Sequence, residues 1–186
     1  MPRIAITGNI ASGKSVVENY LREKGFAVYD TDKFAHEILA NSVEVRQAFA
    51  QFDILENDEV SRAKLGKLVF SDNKLRKKLE NIIHPLVKDK IVNLPEEMVF
   101  VAVPLLFEAN MQDLFDKIIF VSAPQEVRLK RLMARNNLTE QEALLRINAQ
   151  EQEDEKVKKS DFIIVNDLDL DKVYKQIEQV LVWVCA

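Results

Sequence analysis

Residues 8–15 read Gly-Asn-Ile-Ala-Ser-Gly-Lys-Ser, and no other stretch of the chain restricts its fold so tightly. A short apolar run, Ile4–Ile6, leads into it. A helical pattern over residues 14–24 leads out and stops at Gly25, a residue suited to the position after a helix. In a strand–loop–helix unit of this kind, successive backbone N–H groups turn inward and form a cradle for an anion. Gly8 and Gly13 permit the curl. The helix N-terminus adds partial positive charge at the same place. Lys14 is set to reach the β- and γ-phosphates of a nucleotide, and the Ser15 hydroxyl to ligate Mg²⁺. Asn9, Ile10, Ala11, Ser12 and Val16 complete the expected nucleotide contacts. ATP with Mg²⁺ is the expected co-substrate.

Four more apolar runs follow: Phe26–Tyr29, Met98–Val103, Ile118–Val121 and Phe162–Val165. Each is short, rich in β-branched or aromatic residues, and apolar on both faces, as buried parallel strands are. Helical patterns lie between them. Pro124 suits a first helical turn. Thr139 and Glu142 have capping-box spacing. Leu170, Val173, Ile177, Val180, Leu181 and Val184 form one apolar stripe. The expectation is an α/β fold in three layers, with a five-stranded parallel sheet covered on both faces. The rhythm breaks between Asp30 and Met98, a stretch that reads as helical throughout and is too long for one crossover. We therefore expect a single domain. Its core covers about 1–30, 96–123 and 161–186, with a helical insert over about 31–95 and a second helical segment over about 124–160.

Composition removes several classes of function. The 186 residues carry 26 Lys and Arg against 30 Asp and Glu, a net charge of −4, which argues against a nucleic-acid partner. No apolar run approaches the roughly 20 residues of a membrane span, and the N-terminus has no apolar signal core, so a cytoplasmic protein is expected. The single cysteine, Cys185, permits neither an internal disulfide nor a multi-cysteine metal site. Charge is uneven: residues 61–90 hold nine Lys and Arg against three acids. Such a stretch can receive a small polyanion, or it can simply be a solvated helix face.

The loop predicts nucleotide binding, and other residues must define the reaction. The Asn/Thr-Lys-x-Asp segment with which GTPases read guanine is absent, since Asn166-Asp167 has no Lys between. The third strand ends in Val103-Pro104 rather than in the aspartate of a motor or transport ATPase. A small phosphate-loop protein with a helical insert and an arginine-rich late segment has the organisation of a small-molecule kinase. Asp30 and Asp32 follow the second strand, and carboxyl ends of parallel strands face ligand crevices. One of them can orient an attacking hydroxyl or hold Mg²⁺ through water. Either can equally cap the helix that follows.

Across nearly its whole length the chain resembles the dephospho-CoA kinase family. The resemblance rests on Ile4–Ser15, Asp30-Thr31-Asp32 with Ala35-His36, Arg62 before Leu65, and Leu79-Glu80 with Ile83-His84-Pro85. It continues through Pro104–Glu108, Arg131 and Arg135, Arg146 with Gln150, and Lys156 with Asp161–Ile164 and Asn166. It implies phosphoryl transfer from ATP to the ribose 3′-hydroxyl of dephospho-CoA, the last step of CoA synthesis. It assigns Asp32 to activation of that hydroxyl, and Arg62, His84 and Pro85 to a CoA-binding insert. Leu105, Phe107 and Glu108 join them at the acceptor. Arg131, Arg135 and Arg146 fall in a lid over ATP, where arginines neutralise charge on the transferring group. A monomer or weak homo-oligomer is expected.

Each of these residues also has a plain structural reading. His84 can pack between helix and loop, Glu108 can cap a helix, and Arg131 and Arg135 can pair with surface acids. Asn9 and Ala11 stand at glycine-like positions of the family loop, Val16 where a Thr is common, and Arg128 where a Gln is usual. Two other classes stay open on the residues alone: a kinase of another small acceptor, and a non-catalytic nucleotide switch.

Overall fold

The computed structural model describes residues 2–150 and 153–184; Cys185 lies outside them. They fold as two compact units, Asp30–Pro95 and the remainder of the chain.

The larger unit is built on a sheet of β1 (Arg3–Gly8), β2 (Ala27–Asp30), β5 (Val99–Ala102), β6 (Lys117–Ser122) and β7 (Phe162–Val165) in the order β2-β5-β1-β6-β7. All five apolar runs are strands, and the sheet is parallel. The registers explain why both faces are apolar. Ile4 pairs with Phe100, Ile6 with Ile119, and Val121 with both Gly8 and Ile164. These side chains share one face and pack against Val17 and Leu21 of α1 (Lys14–Glu23) and Val173, Ile177, Val180 and Leu181 of α9 (Leu170–Val184). The alternate residues Ala5, Val101 and Phe120 are buried on the opposite face. From β1 the chain runs first to the β2 edge, returns through β5, and then crosses to β6. That reversal centres on β1, and ligand crevices lie outside the carboxyl ends of strands at such switch points.

Helix ends follow local chemistry. Gly25 takes φ +88°, while its N–H bonds Arg22 O at 3.0 Å and the Phe26 N–H bonds Leu21 O at 3.0 Å. This double bond closes α1 as the sequence predicts. The capping box forms at α7 (Glu140–Asn148), with Thr139 and Glu142 bonded reciprocally. Pro124 is the residue before α6 (Gln125–Asn136) rather than inside its first turn.

The smaller unit holds α2 (Thr31–Asn41), α3 (Val43–Ala48), α4 (Arg62–Ser71) and α5 (Asn73–Val92). Its core includes Phe34, Val45, Phe49, Leu65, Ile83, Val87 and Ile91. It is not helical throughout. β3 (Leu55–Glu56) and β4 (Glu59–Val60) form a two-stranded antiparallel hairpin. Its turn residues Asn57 and Asp58 both have positive φ, 50° and 63°, the backbone that two-residue hairpins require and that Asn and Asp tolerate.

One polar cluster ties α1 to α9. The Tyr20 hydroxyl donates to Glu178 Oε1 at 2.5 Å, and Lys24 Nζ lies 2.6 Å from the same oxygen. The Tyr20 and Tyr174 rings stack at 4.5 Å. The Lys24 ammonium, and next the Tyr20 hydroxyl, hold the Glu178 carboxyl below its ordinary value; the bond to Glu178 raises Lys24. A depressed carboxylate stabilises the fold above its unfolded pKa, near 4.3, and that stabilisation is lost as pH falls. The raised Lys24 contributes below about pH 10.4 and is lost as pH rises. Glu178→Gln should therefore lower the melting temperature at pH 7, with the gap to wild type closing below about pH 4. A gap that stays constant from pH 7 to pH 3 would show that the carboxylate charge is not what matters.

Candidate active site

The loop between β1 and α1 is shaped by close approach. A Cβ on Gly8 would sit 2.4 Å from Val121 O. Gly13 has φ +88°, and a Cβ there would sit 2.1 Å from Asn166 Nδ2. Neither position admits a side chain. Ala11 also has positive φ, 59°, which costs an L-residue about 1–2 kcal/mol. Its methyl packs with Ile10 against the cluster of Leu132, Ala143 and Ile147, which returns about 0.8 kcal/mol. The loop thus keeps its curl with an alanine at this position.

Side chains from distant segments hold the loop. Arg131, on α6, donates from Nη1 to Ser12 O at 3.1 Å and from Nη2 to Asn166 Oδ1 at 2.8 Å. Partial burial lowers its pKa, yet a guanidinium stays charged. Gln150 Oε1 accepts the Ile10 N–H at 2.7 Å. Asn9 Nδ2 donates to Glu153 Oε2 at 3.1 Å. The Ser12 hydroxyl and Asn166 Nδ2 are buried without a hydrogen-bond partner among the described residues. Buried polar atoms are rarely left so, and their place on an N–H-lined loop at a helix N-terminus fits a polyphosphate. Lys14 Nζ meanwhile rests on Glu18 Oε1 at 3.2 Å, and Glu18 also receives Arg22 at 3.4 Å. Ser15 is exposed on the first turn of α1 beside Val16.

The remaining predicted residues of this unit divide. Leu105 is exposed at 56% and Phe107 buried at 6%. Glu108 takes an ion pair from the buried Lys156 at 2.6 Å. Arg135 is exposed and donates from Nε to its neighbour Asn136, and Arg146 lies exposed in the last turn of α7. Gln150, Glu153, Ser122 and Asn166 carry the loop without having been assigned a role from sequence. The one local signal was Asn166, standing directly after β7, where a parallel strand delivers its next residue to the ligand edge.

In the smaller unit, Asp30 is both the last residue of β2 and the N-cap of α2; its side chain accepts the Asp32 N–H at 2.8 Å. The strand does not continue to Asp32, so strand alternation does not place the two carboxylates on one side. Asp32 is exposed in the first turn of α2. Arg62 begins α4. His84 and Pro85 lie inside α5, with His84 half-buried and Pro85 exposed. Of the basic residues here, Lys64 pairs with Asp53, Arg76 with Glu80, and Lys90 with Glu37. Arg62, Lys67, Lys74 and Lys77 have no ion pair among the described residues.

Residues 3–172 match the family model described as dephospho-CoA kinase. The chain belongs to the dephospho-CoA kinase family. A dephospho-CoA kinase of Listeria innocua is 42% identical over 185 residues, covering 94% of this chain and 92% of its own. One from Carboxydothermus hydrogenoformans is 40% identical over 192 residues, covering 97% and 93%. Among solved structures, the Campylobacter jejuni dephospho-CoA kinase superposes with a TM-score of 0.75 at 32% identity, covering 98% and 96%. A Thermus thermophilus protein reaches 0.83 at 34%, covering 98% and 97%. A Bacteroides thetaiotaomicron shikimate kinase, 14% identical with a TM-score of 0.60, shares the fold alone. As a member of the dephospho-CoA kinase family, the chain is an ATP-dependent phosphotransferase.

Gly13 and Gly25 share the same φ, but nothing lies within 4 Å of a Cβ on Gly25. Gly25→Ala should therefore cost the strain alone, about 1 kcal/mol, a drop in melting temperature of roughly 2–4 °C. Gly13→Ala should cost clearly more, because the Cβ must also displace Asn166 and with it Arg131. It should also abolish detectable ADP binding. Equal melting temperatures for the two variants would show that Asn166 gives way freely.

Proposed function

We propose that the loop 8–15 holds ATP by its phosphates while Asp32 activates the ribose 3′-hydroxyl of dephospho-CoA, so that the γ-phosphate passes to that hydroxyl and CoA and ADP leave. The observation that carries this reading is the family match across residues 3–172, which joins the phosphate loop and the insert in one pattern. It favours dephospho-CoA over another small acceptor, and an enzyme over a switch.

The transferring phosphoryl group asks little covalent chemistry of the protein; charge and position do the work. The loop N–H groups and the helix N-terminus supply fixed partial positive charge. Lys14 exchanges Glu18 for the β- and γ-phosphates. Asp30 caps α2, and Asp32 stands in the first turn of the same helix. The Asp32 carboxylate accepts the proton of the 3′-hydroxyl as the oxygen attacks. Arg131, already bound to the loop, keeps the cradle in shape beside the phosphates. Arg135 and Arg146, exposed in the segment 124–160, form the lid that closes over ATP and excludes water. In the insert, Arg62, His84 and Pro85 are acceptor contacts, and Arg62, Lys67, Lys74 and Lys77, which have no ion pair among the described residues, favour its diphosphate; Leu105, Phe107 and Glu108 are the acceptor contacts of the larger unit.

No group of three or more His, Cys, Asp or Glu among the described residues can hold a metal by itself. The exposed Ser15 hydroxyl fits Mg²⁺ all the same, since that ion takes one or two protein oxygens and completes its shell with phosphates and water. Bound there, Mg²⁺ would neutralise phosphate charge during transfer. No described helix is long and apolar enough to cross a membrane. A cytoplasmic setting, where ATP is supplied, suits the reaction, as does a monomer or weak homo-oligomer.

The test is coupled ADP release from ATP·Mg²⁺ with dephospho-CoA against a panel of nucleosides and nucleoside monophosphates. ADP release should require dephospho-CoA, and the product should gain one phosphate in mass. Asp32→Asn should cut kcat by about 10²–10⁴ and leave ADP affinity within about twofold of wild type. Normal turnover in that variant would remove Asp32 from the chemistry.

A further inference from the structure

Asn9, the second residue of the loop, is 5% exposed, and both ends of its amide are engaged. Nδ2 donates to Glu153 Oε2 at 3.1 Å, and Oδ1 accepts from Lys156 Nζ at 3.4 Å. Glu153 in turn accepts from the Ser122 hydroxyl at the end of β6 and lies 3.6 Å from Arg128 Nη2. Lys156 closes the far side on Glu108 at 2.6 Å. The result is a row of alternating charge with a neutral amide at its centre: Arg128, Glu153, Asn9, Lys156, Glu108. Arg128 is 7% exposed and Lys156 3%. Arg128 Nε and Nη1 have no partner among the described residues, so its buried charge is compensated through Glu153.

Asn9 and Arg128 meet on one carboxylate, that of Glu153, which lies 144 residues from Asn9 in sequence. A loop in which Ala11 already holds strained backbone needs its neighbours to over-determine its shape. Asn9 is the position where such a hold can act directly on the curl.

We propose that Glu153 is a positioning residue for nucleotide binding: through Asn9 it fixes the start of the phosphate loop, and Arg128 and Ser122 hold its carboxylate for that task. The inference rests on the loop being the ATP site. It predicts that ATP and ADP affinity, rather than acceptor affinity, depends on this row.

The experiment is a double-mutant cycle read by ADP calorimetry and by KM for each substrate. Glu153→Gln alone leaves the buried Arg128 unpaired, and unfolding can hide its effect. The working background is therefore Arg128→Met/Glu153→Met, which removes one charge of each sign, leaves the net charge beside the loop unchanged and takes away the acceptor of the Asn9 amide. It should melt near wild type, while ADP Kd and KM for ATP rise about 5–20-fold, the scale of losing a charge-assisted hydrogen bond. KM for dephospho-CoA should stay within about twofold. Asn9→Gly should weaken ADP binding in wild type to a similar degree, and add less than about twofold in the doubly substituted background. Wild-type ADP affinity in that background would overturn the proposal, and so would effects of the two changes that simply multiply. Failure of the wild-type protein itself to bind ADP would sink the assignment of the loop, and the positioning role with it.

Discussion

The turn from β1 into α1 sets the terms for the rest of the larger unit. Its N–H groups can serve a phosphate only if they face inward, and a backbone curled that way turns carbonyl oxygens outward, where something else must satisfy them. Arg131 does so for Ser12, from a helix more than a hundred residues later. Asn166 and Val121 wall the two glycines so closely that no side chain fits. Val121 lies at the carboxyl end of β6, Arg131 on the helix that follows it, and Asn166 directly after β7, so the order β1-β6-β7 within the sheet is what the loop depends on.

The buried charges of the larger unit are paired. Glu18 is 6% exposed and is met by both Lys14 and Arg22. Lys156 and Arg128 are buried opposite Glu108 and Glu153. Buried pairs of this kind add little stability over an apolar core, but losing one partner is costly. They are better understood as fixing geometry. The contact of Lys14 with Glu18 at 3.2 Å orients the ammonium at the start of α1.

Much of this was legible in the residues. The five strands could be read because parallel strands buried on both faces are continuous apolar runs, and each run did become a strand. The capping box at Thr139 and the stop at Gly25 were equally local. The hairpin at Leu55–Val60 was missed for a physical reason. Strands of two residues carry no period, and the turn Asn57-Asp58 lacks the glycine that marks most such turns. The ion pair that Glu108 makes with Lys156 spans 48 positions and leaves no local trace.

The sequence by itself determined the phosphate loop, the five strands of the sheet, the stop at Gly25, the capping box at Thr139 and the family, because these depend on short-range periodicity, on turn chemistry and on the order of motifs along the chain. Only the tertiary structure decided which polar groups meet. Asp30 rather than Asp32 became the cap of α2, Arg131 became a brace for the loop, and Asn9 joined Glu153. Burial is written residue by residue, in hydrophobicity. A hydrogen bond between distant segments exists only once strand order and register bring their ends together, and no single segment encodes that order.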